Sequence, residues 1–136
     1  MEGWIMEGFK IIYQKHKKLF LCLVIIMPIF FGCFTFPFWN LTHRAHGGIS
    51  VINVFVFVTA YYDIGLVEAI AFHKKSFIFI LGYNFIMSCA GLVCRYVLEF
   101  GEVSNTYNFT WPNILVHLTL VVLISSLTFL GKNKEV

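Results

Sequence analysis

Four long apolar segments, separated by short polar links, constrain this chain more than any other feature. They run over residues 19–38, 49–72, 77–98 and 112–130. At 1.5 Å of rise per residue, a helix of about 20 residues covers the roughly 30 Å hydrocarbon core of a bilayer. The sequence therefore predicts an all-α integral membrane protein, in which residues 19–130 form a bundle of four transmembrane helices.

The composition agrees with lipid as the surroundings of most side chains. Of the 136 residues, 59% are apolar and 12% are charged, whereas soluble domains carry about 25% charged residues. The basic residues flank the apolar segments and do not form one patch, so no direct nucleic-acid binding is expected. The four cysteines lack C-x-x-C spacing and are expected to be free thiols. A disulfide from Cys33 to Cys89 or Cys94 stays open as an alternative.

Residues 1–18 are too polar to cross a bilayer. Ile5, Phe9, Ile12 and Tyr13 recur at helical spacing within them. This pattern is typical of an amphipathic helix that lies in the headgroup region. We therefore predict a cytoplasmic interfacial helix before the first transmembrane span.

Two prolines and a short tail mark the remaining boundaries. Pro28 lies in the middle of the first apolar segment and predicts a kink, while Pro37 predicts the end of that helix. Residues 131–136 follow the last segment and are expected to form a cytoplasmic tail.

The lysines and arginines predict the orientation in the membrane. Eight of the ten are assigned to one side, namely Lys10, Lys15, Lys17, Lys18, Lys74, Lys75, Lys132 and Lys134. The other two, Arg44 and Arg95, belong to the opposite side. Because cytoplasmic loops carry an excess of basic residues, both termini are expected in the cytoplasm, with a bacterial inner membrane as the expected location.

Ionisable side chains within a span are costly, so each is a candidate functional position. Asp63 and Asn84 lie at similar depth in the second and third segments and can share a hydrogen bond if these segments pack as a hairpin. Asp63 is interpreted either as a structural group held in this way, or as an ion-binding, proton-binding or subunit-interface group. Glu68, nearer the inner surface, is expected to meet Lys74, Lys75 or lysines of the first segment.

A second polar layer is predicted in the outer half of the membrane. Asn53, Arg95 and His117 lie on three spans within about two helical turns of a common depth. A cluster of these side chains would suit an anionic ligand or a partner's carboxylate. The simpler alternative is that Arg95 reaches outward to Glu99 or Glu102.

The outer links are candidate contact surfaces. His43 and His46 have H-x-x-H spacing and flank Arg44, but a closed zinc site needs four ligands. Neither a metal site nor a cofactor is therefore predicted. The second link, residues 99–110 with Glu99 and Glu102, is polar and aromatic, as protein-contact surfaces often are.

The chain carries no phosphate-binding loop, zinc-protease motif, nucleophile elbow or dinucleotide fingerprint. The first hypothesis is thus a non-enzymatic membrane subunit that assembles with itself, with a cytoplasmic partner, or with both. Bacterial immunity proteins against pore-forming toxins and membrane sensors of anti-phage systems share this size and architecture, so defence is one expectation. An oligomeric ion channel or small transporter is the second hypothesis, and a small membrane enzyme is the third.

Overall fold

The computed structural model describes the backbone of residues 2–38 and 51–134 and the side chains from Glu7 onward. These ranges are helical and contain no strand. The helices are α1 (Glu2–Lys15), α2 (Lys17–Thr35), α3 (Val51–Ala71), α4 (Phe77–Leu98), α5 (Val103–Asn108) and α6 (Trp111–Asn133). Helices α2, α3, α4 and α6 are long and apolar enough to cross a membrane, which confirms the predicted four-helix class.

The four long helices form a bundle in which α2 and α6 each pack against both α3 and α4. Helices α3 and α4 therefore lie at opposite corners, although only a short turn joins them. The condition for a hydrogen bond between Asp63 and Asn84, side-by-side packing of the second and third segments, is therefore not met. We call the end where α2 and α4 begin and α3 and α6 end the basic end, because it carries Lys17, Lys74 and Lys132. The other end is the far end.

Small residues determine which helices approach closely. A Cβ atom added to Gly32 of α2 would lie 3.1 Å from the Cα atom of Gly91 in α4. One added to Gly65 of α3 would lie 2.6 Å from the backbone oxygen of Ser125 in α6. Glycines allow helix backbones to come together in this way, so they select the α2–α4 and α3–α6 pairs.

Helix α2 runs through Pro28 without a break. A neighbouring helix supplies the hydrogen-bond donor that the proline lacks. Proline lacks an N–H group, which leaves the carbonyl four residues earlier without its helical hydrogen bond. That carbonyl belongs to Val24, and the Tyr83 hydroxyl of α4 donates to it at 2.8 Å. Helix α2 ends at Thr35, before the predicted limit of residue 38, because Phe36 is extended (φ −86°, ψ 138°), as the residue before a proline usually is.

The other helix boundaries follow local signals. Helix α4 has the predicted limits, and its N-cap Ser76 accepts a hydrogen bond from the Phe79 N–H at 3.3 Å. Helix α6 extends to Asn133, one turn beyond the predicted end. The short α5 was not predicted; the side-chain amide of Asn105 attaches it to α4 by donating to the Tyr96 carbonyl at 3.0 Å.

Apolar side chains fill the bundle and also cover its outside. Phe57, Tyr61, Ile64 and Val121 form the central core cluster. On the outside, large apolar side chains stay exposed, and Ile78 reaches 79%. An exterior of this kind is suited to acyl chains. The four cysteines are free thiols, as expected.

Candidate functional site

A polar layer of Glu68, Asn84 and Ser126 lies inside the bundle toward the basic end. The side-chain amide of Asn84 donates to Glu68 Oε2 at 3.1 Å and to Ser126 Oγ at 3.1 Å. Each of the three residues is at most 2% exposed. The layer links α3, α4 and α6, and the Glu68–Asn84 bond crosses the diagonal of the bundle.

This arrangement corrects two expectations about the acids of α3. The partner of Asn84 is Glu68 and not Asp63. Among the described residues, no ion pair joins Glu68 to Lys74 or Lys75. Five residues of helix turn by about 140° beyond one full revolution, so Glu68 and Asp63 cannot share a face. Glu68 points into the bundle, and Asp63 is exposed on its outside.

Glu68 is only partly satisfied in the polar layer. Within residues 2–38 and 51–134, its Oε1 atom is buried and has no hydrogen-bond partner. Nearby serines add no donor, because Ser88 Oγ donates to the Asn84 carbonyl and Ser125 Oγ donates to the Val121 carbonyl, each at 2.6 Å. An uncompensated charge in such surroundings is costly. The layer therefore joins α3, α4 and α6 by hydrogen bonds. The described residues contain no group of side chains that could hold a metal ion.

His117 occupies a separate, aromatic environment in the far half of the bundle. Its ring centroid lies 5.2 Å from that of Phe36, 5.6 Å from that of Phe57 and 6.2 Å from that of Tyr61, all nearly perpendicular. The residue is fully buried, and neither ring nitrogen has a partner in the described part of the chain. Edge-to-face packing with aromatic rings thus holds His117 in place.

The predicted cluster of Asn53, Arg95 and His117 does not form. Asn53 is exposed on α3. Arg95 forms an ion pair with Glu99, four residues later on the same helix, and its Nη1 donates to the Cys33 carbonyl at 3.3 Å. The alternative expectation for Arg95 is therefore confirmed, because the guanidinium finds a carboxylate within its own last turn.

The two polar layers are separated along the bundle axis. The nine residues from His117 to Ser126 span about 13 Å of α6. Ile64 of α3 and Val121 of α6 belong to the same core cluster and lie between these levels. Within the residues that the structure describes, apolar packing therefore separates these two layers, and they do not join in one continuous polar stripe.

The outward face of α3 carries the polar patch that the bundle leaves uncovered. Thr59 and Asp63 are exposed, and Tyr62 is 40% exposed. Among the residues that the structure describes, none forms a hydrogen bond or ion pair with the Asp63 carboxylate. The structure thus places one acid of α3 inside the bundle and the other on its surface.

The remaining candidates lie at the two ends. Lys15, Lys17, Lys18, Lys74 and Lys75 are exposed at the basic end, and the Lys75 ammonium lies 5.3 Å from the centroid of the Phe79 ring. At the far end, Ser104 Oγ donates to Glu102 Oε2 at 3.2 Å. The candidates His43, Arg44 and His46 lie outside the described residues.

Sequence reasoning missed the contribution of α6 to the polar layer. Asn113, His117, Val121 and Ser125 recur at spacing four along this helix, and all are buried. This spacing is a signal for one inward face of α6, although Ser126, the serine that accepts from Asn84, is the residue after the series. Comparisons with protein-family models, with curated proteins and with solved structures find no match to this chain.

Proposed function

We propose that this chain is a non-enzymatic membrane subunit that assembles with a second copy of itself through the outward face of α3. The observation that carries the proposal is the exposed Asp63 within a helix apolar enough to cross a membrane. Acidic residues in spans almost always face protein or water, and the cost at mid-membrane is about 2.5–3.5 kcal/mol on insertion scales. A second copy that covers this face removes the carboxylate from lipid.

The exposed residues of α3 have the spacing of a helix-pairing surface. Ile52, Val56, Thr59 and Asp63 follow one another at intervals of four, three and four, and all are exposed. This 3.5-residue repeat is the seam along which two helices pack side by side. A polar residue in such a seam determines the register and the number of helices.

The patch is complementary to itself, which favours a second copy over a different partner. Asp63 supplies hydrogen-bond acceptors, while the hydroxyl groups of Thr59 and Tyr62 supply donors. In a two-fold pair, the donors of each copy reach the carboxylate of the other. The apolar packing between the two buried polar layers favours this role over conduction through a single bundle.

The proposal includes the topology and location indicated by the basic residues. The basic end faces the cytoplasm of a bacterium, both termini are on that side, and α1 lies as an amphipathic helix along the inner membrane surface. This surface is suited to a cytoplasmic partner, as in an immunity protein or a membrane sensor of an anti-phage system.

Native mass spectrometry of the full chain, extracted gently from its membrane, tests the assembly. We expect a homo-oligomer for the unchanged chain and a monomer for Asp63→Leu combined with Thr59→Leu. The matched control is Thr119→Leu, which makes the same change at an exposed threonine of α6 and is expected to leave the oligomer intact.

Three results would contradict the proposal. In the first, the unchanged chain is a monomer. In the second, the α3 variant still forms the oligomer. In the third, the α6 control loses the oligomer to the same extent as the α3 variant. A stoichiometric complex with another membrane protein, lost in the α3 variant, would replace the second copy by that partner.

A further inference from the structure

The basic end carries a cavity between α1, the start of α2 and the end of α3. Its volume is about 300 Å³. The lining residues are Lys10, Tyr13, Gln14, Lys17, Ile70 and His73. No carboxylate lines it, so every side chain in the lining is a cation, a hydrogen-bonding group or apolar.

The break between α1 and α2 shapes this cavity. His16 leaves helical geometry (φ −129°, ψ 44°) and separates the two helices. The Tyr13 ring packs edge-on against Phe20, with 5.4 Å between the centroids, and Phe20 packs against Ile70 of α3. These contacts hold α1 beside the end of α3, with the cavity between them.

Helical spacing brings the donors of α1 to one face. Lys10, Tyr13 and Gln14 stand at positions i, i+3 and i+4 of α1, which lie on the same side of a helix. Lys17, the first residue of α2, joins the lining from the other side of the break at His16. On the other wall, His73 Nδ1 lies 3.3 Å from the Ile70 carbonyl oxygen. A carbonyl only accepts, so Nδ1 is the donor in this contact.

This set of side chains is suited to a phosphate group. Two ammonium groups supply charge and several donors, while the amide of Gln14 and the hydroxyl of Tyr13 supply neutral donors. Hydrogen bonds between a cation and phosphate oxygen are about twice as strong as neutral ones. The cavity therefore favours an anion with several oxygen atoms.

The position of the cavity indicates where that phosphate comes from. It lies at the ends of two helices that are apolar enough to span a membrane. The sides of α1 turned away from the cavity expose Ile11 (68%) and Ile12 (48%), as a helix at the boundary of headgroups and acyl chains does. Basic pockets beside the cytoplasmic ends of spans are characteristic sites for anionic lipid headgroups.

We propose that this cavity binds the phosphate group of an anionic phospholipid. The proposal rests on the membrane placement of the bundle and is independent of assembly through α3. The bound lipid would tie α1 to the end of α3 and fix the orientation of α1 on the membrane surface.

Lipid titration of the purified full chain in neutral detergent, read by native mass spectrometry, tests the site. Phosphatidylglycerol is the anionic probe, and phosphatidylcholine is the neutral reference. The site variant is Lys10→Gln combined with Lys17→Gln. The control is Lys15→Gln combined with Lys18→Gln, which removes the same charge from the same segment outside the cavity lining. Glutamine is a good helix former, so both variants are compatible with the fold.

We expect tighter binding of phosphatidylglycerol than of phosphatidylcholine, and a loss of about tenfold to thirtyfold in the site variant. The control is expected to lose less than about threefold, because only diffuse attraction is reduced. Equal losses in both variants, or no preference for the anionic lipid, would overturn the site. Displacement of the lipid by inorganic phosphate at similar concentration would show that the cavity takes soluble phosphate. Failure of these tests would leave the oligomer of the unchanged chain as it is, so the two proposals are distinguishable.

Discussion

The two acids of α3 have opposite surroundings although they are only five residues apart. Glu68 is fully buried and accepts a hydrogen bond from Asn84, which also reaches Ser126. Asp63 is exposed on the outside of the same helix. Helix face, and not depth in the membrane, separates these two environments.

Under the proposed assembly, one helix serves both folding and recognition. Inside the bundle, other helices of the chain provide the partner of Glu68, so this acid defines how α3, α4 and α6 fit together. Outside, the described chain provides no partner for Asp63, so this acid is free to define a contact with another molecule. A polar group in a span that the fold does not satisfy indicates a further surface.

The largest expected effect is the loss of the inner acid. Glu68→Ala removes the acceptor of Asn84 and leaves a cavity in the core, so we expect the free energy of unfolding to fall by roughly 2–4 kcal/mol. Asp63→Ala is the matched control and should change it by less than about 0.5 kcal/mol in the monomer. Unfolding in mixed detergent micelles measures both. Equal effects of the two changes would remove the distinction between the acids.

Gly65 and Gly82 offer a second comparison, between a glycine at a close helix contact and one with open space around it. Gly65→Ala places a Cβ atom 2.6 Å from the Ser125 backbone oxygen, so we expect a loss of about 1–3 kcal/mol as α3 and α6 move apart. Gly82→Ala meets no atom within 4 Å and should be neutral or stabilising, because alanine favours the helix. The same unfolding measurement applies, and a stable Gly65→Ala protein would contradict the close α3–α6 contact.

The smallest expected effect concerns the proline of α2. Tyr83→Phe removes the hydrogen bond to the Val24 carbonyl and should cost about 1 kcal/mol. In a Pro28→Ala background, the new backbone N–H can bond to that carbonyl, so the same change should cost less. A double-mutant cycle measures this coupling. A cost that is identical in both backgrounds would show that Tyr83 does not compensate for the proline.

The sequence predicted the elements of this fold better than their arrangement. The limits of α4 coincide with those of the third apolar segment, because Glu99 begins a polar link. The pairing of Asp63 with Asn84 was wrong, because similar depth says nothing about which faces meet. The preference of Arg95 for Glu99 was predictable, since both lie in one helix turn.

The sequence by itself determined that this chain has four helices able to cross a membrane, because length and apolar content decide that. It could not determine which side of α2, α3 or α4 faces inward. A helix that is apolar nearly all round has no amphipathic pattern to mark its buried face. The tertiary structure decided this through close contacts at Gly65 and Gly91 and through the match of Glu68 with Asn84. These choices depend on pairs of helices, and so they exist only when the bundle is assembled.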